Sequence, residues 1–233
     1  MIHDNKLNWD SSFFDYPIYN LDGKEIHHKN IATELSRLNE CVVQCKLNIL
    51  LSESIETLVR LGFSIENTGI IYKKKIEKKN EKKIALASIK DEKDILNIVK
   101  KSFINTRFKD NYFGKESSTK IYSSWASAAI TGNYDDCCLV KRKGNMVIGF
   151  VTIRKIEDYI RIGLIAVDNN YQEEGVGREL MQSVEAYAIK HDIKDIEVTT
   201  QYDNNSARKL YQSLGYYEDL VFMWLYIKLN SRK

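Results

Sequence analysis

Apolar positions change their spacing repeatedly along the chain, and each change marks an element. Helical spacing runs from Ile31 to Leu38, and Cys41 to Ile49 then reads as a strand. From Ser52 the apolar residues Ile55, Leu58, Val59 and Leu61 mark one face of a helix that Gly62 ends, and Ile65 to Tyr72 is a strand. After the basic run KKKIEKKNEKK the pattern resumes with a strand over Ile84 to Ile89 and helices over Lys93 to Phe103 and Thr119 to Ile130. A hairpin follows, Cys137 to Val140 and Met146 to Lys155 around Lys143-Gly144-Asn145. Strand, turn and helix then come in one stretch: Ile162 to Val167 is apolar, Asp168-Asn169-Asn170 breaks it, and Val176, Leu180, Val184, Tyr187 and Ala188 return at helical spacing. Ile196 to Thr200 (strand), Ser206 to Leu214 (helix) and Val221 to Leu229 (strand) complete the chain.

The first strand–helix–strand unit and the last are alike. Leu61-Gly62-Phe63 parallels Leu214-Gly215-Tyr216, as a degenerate half-repeat would; any α/β unit would look similar. The basic run from Lys73 to Lys83 is the best boundary, dividing the chain into residues 1–76 and 84–229. The segment Arg107 to Phe113, aromatic and charged, reads as a loop rather than core.

Composition narrows the function classes. With 43% apolar and 29% charged residues the chain is an ordinary globular protein. A net charge of +3 gives no concentrated basic face for nucleic acid, and Glu77 and Glu81 dilute the one basic run. No window approaches ~20 apolar residues and the first residues lack a charged, then apolar leader, so a cytoplasmic location is expected. Cys41, Cys45, Cys137 and Cys138 lack zinc spacing and read as reduced thiols on strands, and no metal is expected.

The chemistry centres on Gln172-Glu173-Glu174-Gly175-Val176-Gly177-Arg178, where strand passes to helix. Glycines let a backbone approach a ligand, and the first N–H groups of a helix lack internal partners at its positive end. A pyrophosphate satisfies both. A dinucleotide fingerprint is disfavoured, because position 180 is leucine. The glycines alone would suit any strand-to-helix turn.

Q-x-x-G-x-G after a strand reading L-I-A-V, followed by N-x-x-A-x-x-x-Y-x-x-x-G-Y through Asn204, Ala207, Tyr211, Gly215 and Tyr216, resembles the paired signatures of the GNAT N-acetyltransferase family. The resemblance implies a mixed α/β fold: a largely antiparallel sheet splayed at its central strand, helices on both faces, and a complete acetyltransferase domain over 84–229; read as a half-repeat, residues 1–76 are a truncated acetyltransferase-like region before it. It implies acetyl-CoA as co-substrate, held by Ile165, Ala166 and Val167 along the pantetheine arm, by Gln172, Gly175, Val176, Gly177 and Arg178 at the pyrophosphate, and by Asn204 and Leu210. Glu173 and Glu174 depart from the basic or small residues usual in this loop, which implies that they point to solvent or that CoA binds more weakly than is usual in the family. Leu210 stands where a basic residue is usual, so that one phosphate contact is either missing or supplied by Arg178 or Arg208.

Tyr211 is the expected general acid for the departing thiolate, since an ordinary tyrosine is protonated at neutral pH. A backbone N–H near Ala166–Val167 is the expected oxyanion donor. The base stays open among Asp10, Glu53, Glu66, Glu197 and a water chain. The segments WDSSFF, TRFKDNYF, YSSWASAAITGNYDDCCLV, GFVTIRKIEDYIRIGLIAV and VTTQYDNNSARKLYQSLGYYEDLVFMWLY are similar to family members acting on dTDP-linked amino sugars. That similarity implies a nucleotide-sugar acceptor in surface-polysaccharide assembly, held by Trp9, Phe14, Arg107, Tyr112, Arg154 and Arg161, and a homodimer through sheet edges. Other amines, or a CoA-binding module without activity, are the competing readings.

Overall fold

The computed structural model describes residues 2–26, 30–76, 85–103 and 106–230. Its strands are β1 (Ile18–Leu21), β2 (Cys41–Asn48), β3 (Ser64–Lys75), β4 (Cys137–Lys143), β5 (Met146–Ile156), β6 (Tyr159–Val167), β7 (Asp195–Gln201) and β8 (Tyr217–Leu229). The helices are α1 (Asn8–Phe14), α2 (Ile31–Arg37), α3 (Ser52–Arg60), α4 (Glu92–Ser102), α5 (Asp110–Phe113), α6 (Ser117–Ile130), α7 (Val176–Lys190) and α8 (Asn205–Ser213). All strands join one sheet in the order β1-β2-β8-β3-β7-β6-β5-β4, parallel at β1/β2 and β6/β7 and antiparallel elsewhere. One face of the β4–β7 half packs on α7 and α8 through Val176, Leu180, Val184 and Tyr211, and the other on α4 and α6 through Ile95, Ile98, Ala126 and Ala129.

The boundary between 1–76 and 84–229 divides this sheet rather than separating two lobes. Strand β3, from the first segment, lies between β7 and β8 of the second, and β8 does not pair with β7 at all. Residues 84–229 are therefore not a complete sheet. The part of the basic run beyond Ile76, and Ile84, lie outside the described residues.

The two like units interlock about a local pseudo-twofold. Helices α3 and α8 cover equivalent positions at an offset of 153 residues, the interval from Gly62 to Gly215. The same offset exchanges the ladder pairs of β3 and β8: Ile65↔Leu225 becomes Tyr72↔Glu218, and Gly69↔Phe222 becomes itself. Even the irregularities exchange, with Glu66 skipped on one strand and Asp219 on the other. Across the flanking strands Cys45↔Leu225 becomes Tyr72↔Val198. Each unit leaves a one-strand gap between its own strands, and the second strand of the other unit fills it. Local sequence shows the units; only the pairing shows that neither closes alone.

Two elements differ from the pattern reading. Residues 85–87 do not form a full strand but bridge the β4 edge, with Ala87 N–H donating to Cys138 O and Val140 N–H to Ala85 O. The aromatic segment 107–113 is core as well as loop: Phe108 and Tyr112 are buried, and Asp110–Phe113 is a helical turn. Aromatic area this large is more stable against other rings than in water. The cysteines are free, and burial pushes the Cys41 thiol up to about 11 and Cys45 up to about 12, so both stay protonated.

Candidate active site

The site is made by a failure of pairing. Strands β6 and β7 pair in parallel from Tyr159↔Asp195 to Ile162↔Val198 and then part, although both continue. The cause lies on the other side of β6. There Val151 opposes Ile165 and Ile153 opposes Ile162, so Gly163 and Leu164 together face the single residue Thr152. Such a bulge bends its strand. Thr152 fixes it: buried Thr152 Oγ1 accepts from Leu164 N–H (2.8 Å) and donates to Asp135 Oδ2 (2.5 Å). No side chain fits at Gly163, where a Cβ would overlap Asp135 Oδ2 and lie 2.7 Å from Thr152 Oγ1. The bulge also switches faces, since Ile160 and Ile162 pack toward α7 whereas Leu164 and Ala166 pack toward α4 and α6.

The bulge decides which amides are free. Asp168 N–H donates to Ile148 O (2.9 Å), and antiparallel pairing alternates, so the Ala166 amide is also committed to β5. The amides turned to the opening are those of Ile165 and Val167. The expected donor near Ala166–Val167 thus shifts off Ala166 to its two neighbours.

A cavity of about 940 Å³ runs through this opening from one sheet face to the other. It meets every residue expected at the cofactor, Ile165, Ala166, Val167, Gln172, Gly175, Val176, Gly177, Arg178, Asn204 and Leu210, and the expected acid Tyr211. Gly175 takes φ +82°, a left-handed conformation that suits glycine, and starts α7, whose first residues Val176, Gly177 and Arg178 line the cavity. Glu173 and Glu174 are both exposed, with Glu173 on the cavity rim. Of the two arginines that could replace a cation at Leu210, Arg178 lines the cavity and donates to Ser213 Oγ (2.8 Å). Arg208 does not line it and is held by Tyr202 O, Tyr72 Oη and Glu218. Asn204 caps α8, its side chain accepting from Ala207 N–H (3.2 Å).

Tyr211 is 1% exposed and lies in the cavity wall, its ring 5.6 Å from that of Tyr72. Burial first, then Tyr72, pushes its pKa up, so the hydroxyl keeps its proton. Tyr72 comes from β3 and is fixed by donating to Glu218 Oε1 (2.8 Å), so the first segment of the chain buttresses this tyrosine.

The opposite face of the cavity is basic and aromatic. Arg107 donates to Tyr226 Oη (2.7 Å) and Gln44 Oε1 (3.1 Å), with its guanidinium 4.1 Å from the ring centres of both Phe108 and Trp224. Lys46 Nζ sits 3.8 Å from the Phe222 ring centre, Arg161 stands beside it on the cavity wall, and Trp125 stacks on Tyr134 at 5.4 Å. Lys46 lines this cavity, and desolvation by its neighbours lowers its pKa below the ordinary lysine value.

Of the residues expected at the acceptor, Arg107 and Arg161 line the cavity and the others stand behind it. Trp9 stacks on Trp125 (6.4 Å) and is 47% exposed. Phe14 packs on Phe108 and Phe113, Tyr112 donates to Glu66 Oε1 (3.0 Å), and Arg154 pairs with Asp135 (3.3 Å). The candidate bases fare similarly. Glu53 is exposed on α3, Glu66 serves Tyr112, Glu197 pairs with Lys73 (4.0 Å), and Asp10, whose pKa burial raises against the pull of Arg107, lies outside the lining. Among the described residues the carboxylates that do line it are Asp135 and Glu173. Sequence reasoning missed Lys46, Asn67, Asp135 and Trp224, which sit on strands and a turn without a local motif.

Known proteins share both the pattern and the fold. The acetyltransferase (GNAT) family profile matches residues 99–216. A dTDP-fucosamine acetyltransferase from Escherichia coli O6:H1 is 26% identical over 79% of this chain and 80% of its own length. An L-2,4-diaminobutyric acid acetyltransferase from Shouchella clausii is 31% identical over 43% of this chain and 58% of its own. A crystal structure of a GCN5-related N-acetyltransferase from Sphaerobacter thermophilus superposes with a TM-score of 0.63 at 12% identity, over 93% of this chain and 74% of the other. A tandem GNAT protein from the clavulanic acid biosynthesis pathway superposes with a TM-score of 0.58 at 11% identity, over 87% and 70%. The profile match runs from α4 to Tyr216, taking in the bulge, the glycine turn and Tyr211, and covers half of the sequence: the chain belongs to the acetyltransferase (GNAT) family of acetyl-CoA-dependent N-acetyltransferases.

Proposed function

We propose that this chain acetylates the amine of a dTDP-linked amino-dideoxy sugar by direct attack in a ternary complex. The observation that carries this reading is the cation set on the acceptor face. Lys46, Arg107 and Arg161 converge on one cavity, two of them seated against aromatic rings, which suits a diphosphate with a base and a sugar beside it. The same cations disfavour a polyamine. The likeness to a dTDP-fucosamine acetyltransferase extends over most of both chains and supports the reading.

The cofactor side fits acetyl-CoA through its own residues. The amides of Val176, Gly177 and Arg178 at the start of α7 bind the pyrophosphate. The Val167 amide pairs with the pantetheine arm, and the Ile165 amide, nearer the bulge, stabilises the oxyanion. Tyr211 gives its proton to the departing thiolate.

The test is thiol release from acetyl-CoA with a panel of dTDP- and UDP-amino sugars, with spermidine and a peptide as controls. Rapid release with a dTDP-amino sugar is expected. Release with a control amine alone would sink the nucleotide-sugar reading and leave the family unchanged. A pH effect should accompany it. Diphosphate binding needs charged Lys46, whose pKa is lowered, so KM for the sugar nucleotide should rise on the alkaline side at a pH below that of an ordinary lysine. Lys46→Arg, charged throughout, should remove that rise; its persistence would detach Lys46 from acceptor binding.

A further inference from the structure

We infer that Asp135 is the carboxylate that receives the acceptor amine and takes its proton. The inference rests on the proposed function in one respect: the amine must enter from the cationic face.

Asp135 is 2% exposed, yet it is part of the cavity wall. Its oxygens are used unequally. Oδ2 takes the Thr152 hydroxyl, whereas Oδ1 has the Arg154 guanidinium Nε at 3.3 Å but no hydrogen bond. A shielded carboxylate oxygen without a hydrogen bond is uncommon and calls for a partner. Among the described residues, the other shielded polar atom without a partner on this wall is Trp125 Nε1, a donor. One orphan acceptor and one orphan donor on the same wall suit an amine beside a hydroxyl, as an amino sugar presents.

The position of Asp135 relative to the reacting centre is set by the backbone. Its Oδ2 lies against Gly163, at the point where β6 parts from β7, and Thr152 links it to Leu164 N–H. The next amide, that of Ile165, faces the opening. A nitrogen held by Asp135 therefore stands at the acceptor-face mouth of the notch, opposite Tyr211 on the far face. The expected bases, Asp10, Glu53, Glu66 and Glu197, have no such access.

The step balances. The neutral amine attacks the thioester carbonyl, and the nitrogen–carbon bond forms. The carbon–sulfur bond breaks, the sulfur takes the Tyr211 proton, and the nitrogen gives its extra proton to Asp135. Solvent returns a proton from Asp135 to the tyrosinate, leaving amide and free thiol. Arg154, whose Nε lies 3.3 Å from Oδ1, neutralises the resting carboxylate without hydrogen-bonding that oxygen.

The test is Asp135→Asn, assayed with dTDP-4-amino-4,6-dideoxygalactose and, at high concentration, with the methyl glycoside of the same amino sugar, which lacks the nucleotide. The expected result is a hundredfold or greater fall in kcat with both amines, and an acetyl-CoA Kd within twofold of the parent. If kcat is kept, the assignment is wrong. If the acetyl-CoA Kd rises in step with the loss of rate, Asp135 acts only by pinning the bulge, and the assignment is again wrong. Should Asp135→Asn not fold, Asp135→Glu keeps the charge beside Arg154 but displaces the oxygens, and the same separation of kcat from Kd is required. Parent protein that acetylates the methyl glycoside but not the nucleotide sugar would overturn the substrate reading alone. Parent protein that acetylates neither would overturn both.

Discussion

Tyr211→Phe is expected to lower kcat by about a hundredfold to ten-thousandfold, the usual contribution of a positioned proton donor, and to leave acetyl-CoA binding unchanged. The separation follows from where the hydroxyl sits. The Tyr211 ring packs in the core beside Tyr72 and Tyr216, and phenylalanine fills the same space. The fold should therefore lose about 1 kcal/mol at most, the order of one net hydrogen bond. The glycine turn proposed to bind the pyrophosphate opens α7 and does not depend on the hydroxyl. Burial holds the Tyr211 pKa above the ordinary tyrosine value, so the hydroxyl stays protonated and should add no alkaline limb of its own. Parallel measurements of kcat by thiol release and of Kd by calorimetry decide the matter. Unchanged kcat would remove the acid role; a matched loss of affinity would make Tyr211 a structural residue.

The residues expected at the cofactor come together in one cavity because they are contiguous in the sequence. The strand, the glycine turn and the start of α7 lie within one stretch, and the cap, Leu210 and Tyr211 within another, so spacing alone brings them to one cavity. The acceptor side is assembled from distant positions. Arg107 is fixed by Gln44 and Tyr226, 63 and 119 positions away, and no local pattern announces those contacts. Aromatic density misled for a physical reason. Phe14 and Tyr112 bury their rings against other rings, so residues read as a pocket instead form the wall behind it. Asp135 was hidden by its neighbour: two aspartates after a Gly-Asn-Tyr turn look solvated, and only the fold of β5 over them buries the first. The phase of the free amides was equally invisible, since it depends on one bulged residue.

The interlocked sheet makes the strongest expectation about stability. Removing residues 1–76 should leave a chain with no cooperative unfolding transition and no acetyl-CoA binding. The loss is central, because β3 pairs with β7 on one side and β8 on the other, and both become unpaired edges when it is gone. Ile70 and Tyr72, fully buried against α7 and α8, leave with it. Buried side chains of that size are worth roughly 2–3 kcal/mol each, against a total stability of about 5–15 kcal/mol for a typical domain, before any ladder hydrogen bond is counted. The truncated chain also loses β2, the other partner of β8, so the last strand has no neighbour. Supplying residues 1–76 as a separate chain should restore binding, since the pseudo-twofold register specifies where β2 and β3 insert. Circular dichroism melting and calorimetry with acetyl-CoA on the two pieces, alone and mixed, measure this directly. A monomeric 77–233 fragment that melts cooperatively and binds acetyl-CoA would mean that the sheet can close without the strand at its centre, and that the two units are separable after all.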